Sequence, residues 1–114
     1  MSGPLWRIRD HRTFRALRAE GTRRRSGPVQ VTVLPDATGA GVATAPRLAF
    51  AIGRTVGPAV VRNRLRRQLR ARARDLDLAP GAYLVHLSPA AAGLPGAALG
   101  AHLEEALRFE GSLG

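Results

Sequence analysis

"RLAFAIGRTVGPAVVRNRLRRQLR", residues 47–70, decides the fold. Its opening half alternates. Leu48, Phe50 and Ile52 go one way, and Arg47, Ala49, Ala51 and Gly53 go the other, which is the period of a strand with one buried face. Beyond Gly57 the period changes. Gly57 fits a helix N-cap and Pro58 the first helical position. At helical spacing Val61, Leu65, Leu69 and Leu76 form one apolar stripe, which needs a sheet or another helix to cover it. Arg62, Asn63, Arg64, Arg66, Arg67, Arg70 and Arg74 occupy the rest of the helix. Arg72 lies beside the stripe and must carry its charge outward on an aliphatic stem.

No carboxylate stands between Arg62 and Asp75. Like charges four apart on a helix repel by about 0.2–0.5 kcal/mol per pair. A solvated helix normally mixes signs; a row such as Arg62, Arg66 and Arg70 suits a phosphate backbone lying along it. The whole chain agrees. Its 114 residues carry a formal net charge of +10, and every one of the 18 basic residues is arginine. A GC-rich coding bias would replace lysine by arginine, but it does not create an excess of cations over eight acids. That surplus implies a polyanionic partner, by counterion release.

Catalysis by the chain itself is not expected. There is no cysteine, so disulfides, thiolate metal sites and a thiol nucleophile are excluded. His11, His86 and His102 are widely spaced, and the acids form no pair on adjoining strands. "DATGAG", residues 36–41, lacks the Lys-Ser/Thr of a phosphate-binding loop. No apolar run approaches the roughly 18 residues of a membrane span, and "MSGPLWRIRDHRTFR" lacks the apolar stretch of a signal peptide. A cytoplasmic protein, with no membrane association, is expected.

Working outward, Asp10 caps a first helix, "HRTFRALRAE", closed by Gly21. "TRRRSGP", residues 22–28, reads as a connection. "VQVTVL", residues 29–34, alternates as a strand, with Gln30, Thr32 and Leu34 opposite the valines. Residues 35–46 read as a loop, residues 82–87 as a third strand, and "GAALGAHLEEALRFE" after Pro95 as a last helix. The order α-β-β-α-β-α gives an α+β fold over 1–114 as a single domain: a small, mostly antiparallel sheet with helices packed on its apolar face. The other face carries small or polar residues: Gln30, Thr32, Ala49, Ala51 and Gly53. Pattern alone reads it as solvated, with a shallow ligand groove as the alternative. A helix-turn-helix DNA reader needs a helix just ahead of its recognition helix, and here a strand stands there. Backbone and shape recognition suit the composition better, with a ribosomal RNA-binding protein and a DNA-binding regulator as the competing readings.

"GRTVGPAVVRNRLRRQLR" resembles the segment that marks the protein subunit of bacterial ribonuclease P, with Arg54, Val56, Gly57, Ala59, Val60, Arg62, Asn63, Arg64, Leu65, Arg66, Arg67 and Arg70 in register. "RIRDHRTFRALRAEGTRRR" is similar to that family's N-terminal segment, and "GAYLVHLSPAA" to the strand after its motif helix. The resemblance implies a non-catalytic subunit of a ribozyme endonuclease that removes the 5′ leader of precursor tRNA. In such an enzyme the RNA cleaves with Mg²⁺, which is held mainly by the RNA. The implied partners are the catalytic RNA and precursor tRNA, with no obligate protein partner. The implied fold is the ribosomal protein S5 domain 2-like one, with a left-handed crossover through the motif helix, against the general rule.

Carried over by position, the implied RNA contacts are Arg54, Arg62, Asn63, Arg64, Arg66, Arg67 and Arg70. Asn63 is also expected to bond backbone near the helix start. The implied leader cleft is Phe14, Arg18, Thr32, Ala51 and Gly53, which turns the small-residue sheet face from solvated surface into groove. Arg18 and Thr32 stand where the family often carries aromatics, and Leu87 where it often carries a basic residue. Base stacking on an aromatic is worth roughly 1–3 kcal/mol, so leader binding here is expected to weaken or to shift to arginine contacts.

Overall fold

The structure is a computed structural model that describes residues 6–8, 10–35 and 46–108. Its strands are β1 (Trp6–Arg7), β2 (Thr22–Ser26), β3 (Val29–Pro35), β4 (Arg47–Ala51) and β5 (Gly81–Leu87). Its helices are α1 (His11–Glu20), α2 (Ala59–Asp75) and α3 (Gly96–Leu107), with short 3₁₀ turns at Arg54–Val56 and Pro89–Gly93. The α+β expectation holds, and the sheet order is β1-β4-β5-β3-β2.

α1 begins where its cap predicts. The Asp10 carboxylate accepts from the Thr13 backbone N–H at 3.0 Å and from the Thr13 hydroxyl at 2.7 Å. Those bonds, the side-chain one first, hold the Asp10 carboxyl below its ordinary value. α2 starts one residue later than its sequence suggests: Pro58 is the cap, and its carbonyl accepts from Val61 and Arg62.

The sheet corrects one expectation and adds pairings that alternation does not specify. Residues 22–26 are a strand, not a connection: β2 pairs antiparallel with all of Val29–Val33. The two are joined through Gly27 and Pro28. Gly27 has φ +55°, and an added Cβ would stand 2.7 Å from the His102 ring, so glycine alone suits this turn. β3 and β4, consecutive in the chain, are not neighbours. β5 lies between them, antiparallel to β3 and parallel to β4. β1 is also parallel to β4, so a sheet in which antiparallel residue pairs predominate carries two parallel pairings. The parallel β4–β5 pair requires a crossover, and α2 supplies it.

The helices divide between the faces. Val29, Val31, Val33, Leu48, Tyr83, Val85 and Leu87 form the apolar face, covered by Leu65, Leu69 and Ala73 of α2 and by Leu99, Leu103, Ala106 and Leu107 of α3. α1 crosses the opposite face, where Leu17 is buried with Ile8 and Ala82, and Phe14, Leu34, Ala49 and Leu84 pack around them. The expectation of helices on one face is thus corrected for α1. Its apolar stripe needs cover, and the small residues of that sheet face let it approach. Residues 36–45, and the tail from 109, lie outside the described residues.

Candidate nucleic-acid interface

α2 sorts its side chains by angle. Leu65, Leu69 and Ala73 are buried, and Val61 and Leu76 pack against the same core half-buried. Arg72 behaves as its position demands: its stem lies against Gly100, and its Nη2 donates to Glu104 Oε2 on α3 at 2.9 Å. Arg62 and Arg64 are two residues apart, hence about 200° apart around the helix. Arg62 is half-buried, and its Nε is buried with no hydrogen-bond partner. Arg64 is exposed on another side of the helix.

Asn63, Arg66, Arg67 and Arg70 share the flank that faces β4. With Arg7, Ile8, Phe14, Leu48, Ala49 and Phe50 they line an open cavity of about 620 Å³. β1 reaches only Arg47 and Leu48, so the rest of β4 is a free edge beside this cavity among the described residues. Asn63 Oδ1 accepts from Arg66 Nη1 at 2.9 Å. The bond expected from Asn63 to backbone is instead a side-chain bond that orients a guanidinium. The Arg70 guanidinium lies over the Phe50 ring, 5.3 Å from its centroid. Burial, then the charges of Arg7 and Arg74, push the Arg70 pKa below the usual arginine value. It remains a cation, because a guanidinium does not lose its proton in proteins near neutral pH.

Among the described residues the lining of this cavity is four guanidiniums, one amide, two phenyl rings, three aliphatic side chains and no carboxylate. An anion is what such a site lacks. Aromatic faces beside cations also suit unstacked bases. Among the described residues no group of three or more His, Cys, Asp or Glu comes together as metal ligands. No described helix is long and apolar enough to cross a membrane.

The remaining sequence candidates are scattered. Arg54 is exposed in the 3₁₀ turn that joins β4 to α2, outside the cavity. Phe14 is half-buried and borders a second cavity, of about 630 Å³, lined by His11, Arg15 and Arg18. Arg18 is exposed there. Thr32 is a correction: it is only 6% exposed. Its Cγ2 would stand 2.5 Å from a Cβ added at Gly21, so it lies beneath the end of α1 and presents no side chain to a ligand. Ala51 is half-buried and Gly53 exposed, both outside the two cavities.

Sequence reasoning missed Arg7 and Phe50. The basic, extended start of the chain was the signal for Arg7. Phe50 gave none, because alternation assigns a face and not the extent of its cover. His86 is a third omission: exposed on the α1 side of β5, it stands in register between Gln30 and Ala51.

Comparison with known proteins gives the family and the fold. The family model described as Ribonuclease P matches residues 4–109. A ribonuclease P protein component from a Nocardioides species is 39% identical over 105 residues, covering 89% of this chain and 87% of that protein. One from a Synechococcus species is 46% identical over 88 residues, 74% of this chain and 65% of that protein. The Staphylococcus aureus RNase P protein superposes with a TM-score of 0.81 at 17% identity, covering 96% of this chain and 98% of that one. The Thermotoga maritima RNase P protein gives a TM-score of 0.75 at 21% identity, with 92% and 98% covered. At such identities the two structures speak for the fold alone.

Proposed function

This chain belongs to the ribonuclease P protein family, a component of the endoribonuclease complex of tRNA 5′ processing, and from that premise we propose how it acts. It binds the catalytic RNA and the 5′ leader of precursor tRNA, and it leaves bond cleavage to the RNA and its Mg²⁺. The observation that carries this reading is the cavity beside β4, where Arg7, Arg66, Arg67 and Arg70 converge with Phe14 and Phe50 and no acid.

Each residue has a role that follows from its place. Arg66, Arg67 and Arg70 neutralise phosphates along one flank of α2, and Asn63 holds Arg66 in position for it. Arg62, Arg64 and Arg54 point elsewhere around the strand-to-helix junction, so they meet the catalytic RNA at other points of its backbone. Phe14 offers an aromatic face to a leader base, and Arg18 a guanidinium in place of a second ring. Ala51 and Gly53, small but outside both cavities, add no side-chain contact to that site. Thr32 acts only as support beneath α1. The chain contributes positioning and charge, which is the whole of what a ribozyme needs from a protein subunit working in the cytoplasm.

The test is reconstitution. Purified protein added to a bacterial ribonuclease P RNA should allow precursor-tRNA cleavage at a lower Mg²⁺ concentration than the RNA needs alone. Protein without RNA should not cleave. Cutting by the protein alone would overturn the assignment of chemistry to the RNA.

A further inference from the structure

The sheet edge opposite β1 carries a second run of cations that the function above does not use. β2 reads Thr22-Arg23-Arg24-Arg25-Ser26, and β3 is its one strand neighbour among the described residues. Register sets Arg23 opposite Thr32 and Arg25 opposite Gln30, on the α1 face of the sheet. Arg24 stands opposite Val31, on the face that α3 covers. All three arginines are exposed. Gln30 Oε1 accepts from Arg25 Nη2 at 3.4 Å, and no acid stands in the sequence between Glu20 and Asp36.

Charges on an edge strand block addition of a foreign strand. That explanation makes no demand on their sign or number. Arg23 and Arg25 point the same way about 7 Å apart, at the two-residue spacing of a strand, and like charges so placed call for an anion.

β2 lies three strand positions from β4, or about 14 Å at the usual spacing. That exceeds the roughly 8 Å screening length at physiological salt. Phosphates bound at the two edges therefore release their counterions as separate contacts. β2 and the stretch of β3 it pairs with contain no aromatic residue, so this edge has no platform for an unpaired base. Backbone contact to a duplex, read by shape, is the chemistry that suits it.

We propose that β2 is a second RNA contact, in which Arg23 and Arg25 hold the sugar-phosphate backbone of a double-stranded segment while the α2 edge holds another segment of the same RNA. The protein then bridges two parts of its RNA and fixes their relative position. This rests on the RNA-binding reading above.

The experiment measures binding of a bacterial ribonuclease P RNA across a salt series, for wild type and for the pair Arg23→Gln/Arg25→Gln. Each lost phosphate contact lowers the slope of log K against log salt by about 0.7–0.9, so the pair should lower it by about 1.4–1.8. Arg23→Lys/Arg25→Lys should keep the wild-type slope. A glutamine pair whose slope stays within about 0.3 of wild type overturns the proposal. If that pair also self-associates, the arginines belong to edge protection. Should the glutamine pair fail to fold, Arg23→Gln alone is read against an expected fall of about 0.7–0.9. Wild-type protein that binds no RNA overturns the functional reading as well, whereas a bound wild type with an unmoved variant slope overturns the β2 contact alone.

Discussion

Leu48 and Phe50 lie two residues apart on β4 with side chains on the same face, yet Leu48 is buried and Phe50 is half-exposed beneath Arg70. The difference comes from β1, which shields the strand only as far as Leu48. Alternation read both residues as core, because a period reports a face and says nothing of a neighbour that stops short. Phe14 is legible for the opposite reason: it sits at the edge of α1's apolar stripe, and its own helix fixes that position. Its ring borders both cavities. Phe14→Leu keeps an apolar side chain there and removes the aromatic face. If a leader base stacks on it, the reconstituted holoenzyme should bind leader-bearing precursor tRNA about 1–3 kcal/mol more weakly. Binding of mature tRNA is the control and should not move. Asp10 gives a prediction in pH. Its folded pKa is depressed, so its stabilising contribution is present above the ordinary carboxylate value and lost as pH falls through the lowered one. Asn is an equally good cap and does not titrate. Asp10→Asn should keep near-neutral stability and flatten the acid limb of a thermal-unfolding series against pH.

At the scale of the element, α2 is the most legible part of the chain, because one helix contains both signals. Its apolar stripe and its arginine face are periodic in the same sequence, and neither depends on a distant residue. The stripe and the face should therefore separate in experiment. Leu65 is buried under the sheet, so Leu65→Ala should cost about 2–5 kcal/mol in urea unfolding. Arg67 is exposed on the cavity flank. Arg67→Gln should change stability by no more than about 0.5 kcal/mol, yet lower the salt slope of RNA binding by about 0.7–0.9. A variant at Arg67 that unfolds the protein and leaves the slope alone would contradict the division. β2 is the least legible element. Five polar or charged residues show no hydrophobic alternation, and only the ladder to Val29–Val33 makes them a strand. The turn that closes that hairpin depends on His102, 76 residues on from Ser26, which local reading has no means to see.

Across the whole molecule, what the sequence left open is partnership. β5 enters between β3 and β4 because the crossover through α2 returns the chain there, and alternation within each strand is identical for either order. The candidate site divides the same way. The arginines of α2 are readable as a set, but Arg7, Phe14 and Phe50 join them only once three separate elements meet. Tertiary contact also accounts for Arg72, which lies beside the stripe and outside the implied contact set. Arg72 has an internal carboxylate: its partner Glu104 accepts at 2.9 Å, and a second guanidinium, Arg108, approaches Glu104 at 3.9 Å. The Arg72 and Glu104 side chains keep 40% and 29% of their exposure, so water screens the pair and its worth is about 0.2–1 kcal/mol. A double-mutant cycle of Arg72→Gln and Glu104→Gln in urea unfolding should return a coupling of that size. The same Arg72→Gln variant should leave the salt slope of RNA binding unchanged, because its charge is already spent on α3. A fall in slope of about 0.7 or more would instead count Arg72 among the phosphate contacts. It would also mean that the α2–α3 ion pair opens when RNA binds.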